Sequence, residues 1–272
     1  SVSRGLGDVY KRQGLHKRNE RADIRGKAES EFMYSYQARI RYSELDESGH
    51  LKPEALLDYF QDCSTFQSED LGVGIEYLRE KNMVWVLSSW QIIVDRYPVL
   101  GEVVTVGTQP YEFKGFMGFR NFVMEDASGK RIACANALFS LINIETAGPM
   151  RPTEEMLEKY VLGEKIDMEY APRKIRIPDG AVKGEEVLIR PHHLDTNHHV
   201  NNGQYVRIAI DSLQKDCHIS QLRAEYKKQV RLHEVLTPYI VRTEKGGYVV
   251  DLRNQENETC CIVEIEENGE NE

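Results

Sequence analysis

Arg190-Pro-His-His-Leu-Asp-Thr-Asn-His-His-Val-Asn-Asn202 sets an acid, a carboxamide and an imidazole at Asp195, Asn197 and His199, followed by two asparagines. In an extended strand or loop, side chains two and four residues apart leave one face. These three are therefore expected to converge on one substrate atom while Thr196 and His198 point away. Asn201 or Asn202 can cap a helix running to about Asp216, on which Tyr205, Ile208, Ser212 and Leu213 recur at helical spacing. Backbone N–H groups from Val200 to Asn202, at the positive end of that helix, would face a developing oxyanion.

The pattern occurs twice. Arg41-Tyr-Ser-Glu-Leu-Asp-Glu-Ser-Gly-His50 aligns without a gap under Arg190 to His199, matching Arg, Leu, Asp and His, and Asp62 then meets Asp211 at the same offset. Each copy leads into an amphipathic helix, so the chain reads as two tandem strand–loop–helix–sheet units. The first copy has Ser48 in place of the carboxamide. The chemistry is therefore assigned to the second copy and His50 is read as structural.

Length and composition agree with two modest domains: 272 residues, 40% of them hydrophobic. A net charge of -9 argues against nucleic-acid or membrane-surface binding, since both require a basic field. Cys63, Cys134, Cys217, Cys260 and Cys261 are odd in number and lack C-x-x-C spacing, so they read as reduced thiols of a cytoplasmic protein. No run of 18 apolar residues suggests a membrane span.

Residues 1–30 are basic, lack apolar periodicity and read as a disordered or non-native leader. The first domain spans residues 31–150. It opens on a strand over 32–42 in which Tyr34, Tyr36, Ala38 and Ile40 alternate with polar residues. Pro53 starts a helix whose face carries Leu56, Leu57, Phe60, Cys63 and Phe66, ending near Gly72. Strands are expected over 84–97, 102–113, 116–125 and 131–144, with Asp126-Ala-Ser-Gly129 as a hairpin turn. Residues 151–184 form a linker across the first domain's surface, with Thr153 capping a short helix. The second domain, 185–266, has strands over 219–230, 235–243, 248–253 and 259–266, and 267–272 is an acidic tail. A helix followed by consecutive antiparallel strands is an α+β arrangement, one long helix wrapped by sheet in each copy.

The loop Leu194 to Asn202, with Trp85-Val-Leu-Ser-Ser-Trp-Gln-Ile-Ile-Val-Asp-Arg-Tyr-Pro98 and Gly101-Glu-Val-Val104, resembles the fatty acyl-acyl carrier protein thioesterases over roughly residues 31–265. The resemblance implies a double (tandem) hotdog fold, a bacterial member of the family, hydrolysis of fatty acyl thioesters on acyl carrier protein, and an active site at Asp195, Asn197 and His199. It departs from plant members at one place. Where they carry a Glu followed by Cys, this chain reads Glu225-Tyr-Lys-Lys-Gln-Val230, so Gln229 can orient water but cannot act as a base.

Thioester hydrolysis needs a nucleophile, oxyanion donors and modest help for the thiolate. Asp195 can activate water or attack the carbonyl directly, and both routes stay open. His199 can hold water or carry a proton, while Asn197 can donate to the thioester oxygen or orient the acid. The four histidines His192, His193, His198 and His199 invite a metal, but neighbours in extended chain face opposite ways, and neither a metal nor a cofactor is expected. A fatty chain would lie between helix and sheet in the first copy, near Phe60, Phe66, Trp85, Val86, Trp90 and Ile92. Arg173, Lys174, Arg176, Arg223, Lys227, Lys228 and Arg231 could meet an acidic carrier. A homodimer, an acyl-CoA thioesterase, a hydratase of the same fold and a non-catalytic acyl-thioester sensor remain as alternatives.

Overall fold

The computed structural model describes residues 33–215 and 217–267. The expected leader lies outside them, as do residues 268–272 of the expected acidic tail. Alternation of half-buried Tyr34, Tyr36 and Ala38 with exposed Ser35, Gln37 and Arg39 makes β1 (Tyr34–Arg39) an edge strand with one face inward. A short 3₁₀ turn (Tyr42–Glu44) leads to α1 (Pro53–Asp70), where proline occupies the first turn and Leu56, Leu57, Phe60 and Cys63 are buried. Ile75, Tyr77 and Leu78 belong to a short helix, α2 (Ile75–Glu80).

The long strands follow: β2 (Met83–Val94), β3 (Val103–Lys114), β4 (Met117–Asp126) and β5 (Arg131–Asn143). Thr153 accepts the Met156 N–H at 3.2 Å and caps α3 (Glu154–Lys159), as its position predicts. Two short strands, β6 (Val182–Lys183) and β7 (Val187–Leu188), precede the second loop. The second helix, α4 (Asn202–Asp211), stops short of the expected Asp216. Ser212 turns its hydroxyl back to the Ala209 carbonyl at 2.7 Å, and Gln214 takes a left-handed φ of 51°, which breaks the helical path. The remaining strands are β8 (Ile219–Tyr226), β9 (Val235–Arg242), β10 (Tyr248–Arg253) and β11 (Thr259–Glu267). The last strand takes in Glu266 and Glu267, and Lys215 donates to Glu267 Oε2 at 2.6 Å.

The strands form one antiparallel sheet ordered β1-β3-β4-β5-β2-β8-β11-β10-β9-β6, with β7 pairing β9. Its halves meet where β2 pairs β8, from Ser89 opposite Glu225 to Ile93 opposite Gln221. One face buries both helices: Leu56, Phe60, Tyr205, Val206 and Ile208 share a core with Trp90, Phe122, Leu222 and Val263. The two hairpin-like loops correspond bond for bond. The Ile40 N–H donates to Glu102 O at 2.9 Å and that of Ile189 to Glu234 O at 2.9 Å, while Leu51 N–H to Pro98 O matches Val200 N–H to Val230 O, both 2.9 Å. The tandem repeat read from aligned Arg, Leu, Asp and His thus extends to backbone bonding, both where the residues are identical, Ile40 with Ile189 and Glu102 with Glu234, and where they differ, Leu51 with Val200 and Pro98 with Val230.

The opposite face of the sheet carries the linker. Buried Asn121 accepts the Ile166 N–H at 3.3 Å and the Tyr170 hydroxyl at 2.9 Å, and donates to Ala135 O at 3.2 Å. Gln91 donates to Glu169 O at 2.8 Å and accepts the Ala171 N–H at 2.9 Å. Further on, the Ile175 N–H donates to Glu225 Oε2 at 3.1 Å. Polar side chains facing away from the helices are paired with linker backbone, as a dry surface requires.

The helices touch where α4 begins. A Cβ added at Gly203 would lie 3.4 Å from both Asp58 Oδ1 and Glu54 O, so a bare backbone allows this approach. Asn202 Nδ2 donates to Gln61 Oε1 at 2.8 Å across the same junction. Asp58 is open to water on one side yet crowded by protein on the others. Burial, then Asp62, Glu54 and Glu44, push its pKa up to about 6.

Two measurements test these contacts. Asn121→Ala strands the Ile166 N–H and the Tyr170 hydroxyl, so we expect a loss of ~1–3 kcal/mol in urea denaturation and new protease cleavage in the linker. Unchanged stability and cleavage would mean that Asn121 does not hold the strap. For Asp58, a raised folded-state pKa contributes stability below the ordinary 3.8 and loses it as pH rises through about 6. Asp58→Asn should therefore raise Tm at pH 7.5 and leave it unchanged at pH 3; a lower Tm at pH 7.5 would contradict the assignment.

Candidate functional site

Arg190 precedes a 3₁₀ turn (Pro191–His193), and a bridge between Leu194 and Val200 closes the loop that follows. The reading of an extended chain does not hold here. The Asp195 N–H donates to His199 O at 2.8 Å, the His198 N–H donates to Asp195 O at 3.1 Å, and His198 takes a left-handed φ of 61°. Asp195, Asn197 and His199 are thus gathered by a tight turn rather than by the two-residue period of a strand. Asp195 Oδ1 templates that turn, accepting the Asn197 N–H at 2.8 Å and the His199 N–H at 3.2 Å. Its Oδ2 makes no hydrogen bond among the described residues.

Asp195 and His199 are half-buried and Asn197 is exposed. Burial lowers the His199 pKa and Arg231 lowers it further, while Asp195 pulls the other way. The net shift keeps the imidazole neutral at neutral pH, free to accept or relay a proton. His193 is also lowered by burial, then by His192 and Arg207, and its Nδ1 accepts the Arg190 N–H at 3.0 Å. No group of three or more His, Cys, Asp or Glu suited to a metal occurs among the described residues.

The expected row of oxyanion donors is mostly committed elsewhere. Val200 N–H donates to Val230 O and Asn201 N–H to His193 O, both at 2.9 Å. The Asn201 side chain caps α4 by accepting the Gly203 N–H at 2.7 Å. That leaves the Asn202 N–H at the first helical position. Its counterpart in the first copy is Pro53, which has no N–H. Half-buried Tyr226 donates to Asn202 O at 3.0 Å, fixing that residue from the sheet side.

Gln229 is exposed, in the turn that brings Val230 and Arg231 beside the loop. The expected chain-binding residues divide. Phe60, Trp90 and Ile92 lie in the main core, with ring centroids 6.1 Å apart for Phe60 and Trp90. A bulge between Leu87 and Ser89 shifts the phase of β2, so Val86, four residues before Trp90, lies on the opposite face from it. Trp85 packs on Phe113 in a second cluster with Tyr160, at 6.1 Å. Phe66 is 44% exposed at the rim of a groove between β1 and α1, against Tyr36. Among the basic residues, Arg223 is committed to Glu264 and to Pro172 O, and Lys228 pairs with Glu258 at 2.5 Å. Arg173, Lys174, Arg176 and Arg231 remain exposed. The contributions of Asp58, Gln61 and Tyr226 to this region carry no sequence motif; only Asp62 opposite Asp211 hinted that the helices are equivalent.

Residues 29–160 match the acyl-ACP thioesterase N-terminal domain and residues 178–272 the acyl-ACP thioesterase C-terminal domain. A palmitoyl-acyl carrier protein thioesterase of Gossypium hirsutum chloroplasts is 23% identical over 75% of this chain and 54% of its own length. The oleoyl-acyl carrier protein thioesterase 2 of Arabidopsis thaliana chloroplasts is 21% identical over 89% of this chain and 75% of its own. The chain thus spans about half the length of the first of these relatives. A crystal structure of an acyl-ACP thioesterase from Bacteroides thetaiotaomicron superposes with a TM-score of 0.78 at 24% identity, covering 86% of this chain and 96% of that one. The 12:0-ACP thioesterase of Umbellularia californica superposes at 0.74 with 19% identity, covering 87% and 97%. With both domains matched in order along most of its length and the tandem hotdog fold in common, the chain belongs to the acyl-ACP thioesterase family.

Proposed function

We propose that this protein hydrolyses fatty acyl thioesters carried on acyl carrier protein, with Asp195, Asn197 and His199 as its reacting cluster. The observation that carries the reading is the difference between the two equivalent loops. In the first, Asp46 Oδ1 accepts the Ser48 hydroxyl at 2.7 Å and the Ser48 and His50 N–H groups at 2.9 and 3.0 Å, while Ser48 Oγ also bonds His50 Nδ1 at 2.9 Å. Burial acts to raise the Asp46 pKa, but those bonds outweigh it and hold the carboxyl below its ordinary range. The Ser48 hydroxyl thus ties the acid and the imidazole of that loop together. In the second loop no side chain bonds Asp195 or the His199 ring among the described residues, and the Asn197 amide stays available beside a neutral imidazole and a helix end that retains an N–H; the second carboxylate oxygen is unbonded in both loops.

Asp195 Oδ2 takes a proton from water as the water oxygen attacks the thioester carbonyl. The Asn202 N–H and the Asn197 amide receive the oxyanion, and collapse breaks the carbon–sulfur bond. The thiolate leaves with little assistance, and His199 relays the proton from Asp195 to it, regenerating the carboxylate. Gln229 can steady the water but not deprotonate it. The two matched domains divide the work: the C-terminal one supplies the loop and the N-terminal one the apolar layer for the chain. Exposed Arg173, Lys174, Arg176 and Arg231 support docking of an acidic carrier, and the buried thiols Cys63, Cys134, Cys260 and Cys261 support a reducing, cytoplasmic setting. No helix of the described residues is long and apolar enough to cross a membrane.

Thiol release from a panel of acyl carrier proteins and acyl-CoAs of varied chain length tests the reaction and its carrier together. Asp195→Asn keeps an oxygen to accept the two turn N–H groups, so the loop should stay folded while kcat falls by ~10²- to 10⁴-fold. Asp46→Asn, in the matching loop, should leave kcat within about twofold, since general acid–base effects of that size arise only from a group at the reaction. Near-normal turnover of the Asp195 variant, or equal losses in both, would remove Asp195 from the mechanism.

A further inference from the structure

The face of the sheet turned away from the helices carries a cleft of about 290 Å³ between the strands and the linker. That volume stands at the lower end of the ~300–1,000 Å³ range of small-molecule sites. Buried Leu138 forms its floor, opposite Ser89 on one side and Phe119 on the other, with half-buried Met117 alongside. Lys165, Tyr170 and Arg173 close it from the linker, and both halves of the sheet contribute, β5 through Asn136 and β8 through Arg223. Asp195, Asn197 and His199 take no part in it.

The chemistry of the cleft is one-sided. Lys165, Arg173 and Arg223 line it and no Asp or Glu does, in a chain whose net charge is -9. Arg223 is answered by Glu264, whereas Lys165 and Arg173 form no ion pair among the described residues. Exposed cations are commonly left to water, but Lys165 is held in place. Its ammonium sits 5.1 Å from the ring centroids of both Tyr111 and Tyr170, a double cation–π contact that keeps it over the cleft. Tyr111 is itself fixed, its hydroxyl donating to Asn136 Oδ1 at 2.8 Å. The Asn136 Nδ2 and the Ser89 hydroxyl have no protein partner among the described residues, so both can donate to a ligand.

We propose that this cleft binds an aliphatic carboxylate of medium length, its head at Lys165 and Arg173 and its chain along Leu138, Met117 and Phe119. A carboxylate supplies the charge that the lining lacks and accepts from ammonium and guanidinium together. A bare anion would leave the apolar floor wet, while a chain covers it. An aromatic acid is the poorer fit, because Lys165 already covers the tyrosine rings on which it would stack. The site lies apart from the reacting cluster and stands without the thioesterase reading. Under that reading its ligand has the chemistry of the acid that hydrolysis releases, and binding would clamp the linker to both halves of the sheet.

Hydrogen exchange of the intact protein with and without octanoate tests the site. Octanoate at about ten times its Kd should slow exchange of the linker amides between residues 163 and 174 by roughly tenfold, since a ligand that binds only the closed form suppresses local opening in proportion to its saturation. Lys165→Gln, at an exposed position, should fold and release thiol as the wild type does while losing that protection. Acetate, which has the head alone, and octanol, which has the chain alone, should each have no effect. Slowing confined to the Asp195 loop and the helices overturns the proposal, because octanoate then binds only with the reacting cluster. Slowing that persists in Lys165→Gln, equal slowing by acetate, or none with any probe overturns it as well. No thioester enters the measurement, so a protein that hydrolyses nothing can still show the site, and one that hydrolyses acyl thioesters can fail to.

Discussion

The pairing of β2 with β8 is the contact on which the arrangement depends. Neither half-sheet could close around its own helix alone without leaving a bare edge of N–H and C=O groups at that strand. Joining them, from Ser89 opposite Glu225 to Ile93 opposite Gln221, satisfies both edges and turns both helix-bearing faces the same way. The helices then have to meet. Gly203 against Asp58, and Asn202 against Gln61, are consequences of that meeting. The candidate site stands at that meeting, with a loop from one copy and helical neighbours from the other.

Asp195 and Asp46 show how little is needed to build such a loop. One carboxylate oxygen collects the N–H groups two and four residues ahead and so sets the turn. The turn places a left-handed residue at the fourth position, Gly49 with φ 83° and His198 with φ 61°. Glycine takes that conformation freely, whereas a histidine there carries a modest strain. The second loop thus accepts a less comfortable residue than the first at the same place, beside the cluster to which the chemistry is assigned.

Much of this was legible in the sequence because the signals are local. Alternation of Tyr34, Tyr36 and Ala38, Pro53 at a helix start, Thr153 as a cap and the repeated Arg–Leu–Asp–His frame each depend on neighbours a few positions away. What escaped depends on distant contacts. The bulge at Leu87 reverses the phase of β2 and puts Val86 on the opposite face from Trp90 despite their even spacing, and nothing in the strand's composition marks it. The α4 terminus at Asp211 is set by a backbone turn at Gln214 that apolar periodicity does not register. Arg223 reads as one of several surface cations, yet the linker carbonyl at Pro172 and the carboxylate of Glu264 enclose it. The cluster Asp195, Asn197 and His199 was legible as a motif, but its geometry was inferred from strand periodicity, whereas a side-chain oxygen bonding its own backbone produces it.

Duplication explains how one copy can specialise while the other holds the shape. A single unit would have to satisfy its loop and leave reactive groups unsatisfied at the same time, and those demands compete for the same atoms. Here they fall to different residues. Ser48 occupies both Asp46 and His50, so the first loop spends its polar atoms on its own rigidity. Asn197 makes no such bonds to Asp195 or His199; both loops are held from outside by a matching backbone bond, to Pro98 and to Val230, and the second has in addition the Asn201 cap and Tyr226 at the adjoining helix. Proline at the head of α1 removes the one N–H that the head of α4 keeps. Each difference moves hydrogen-bonding capacity out of internal support in the first copy and toward an approaching ligand in the second.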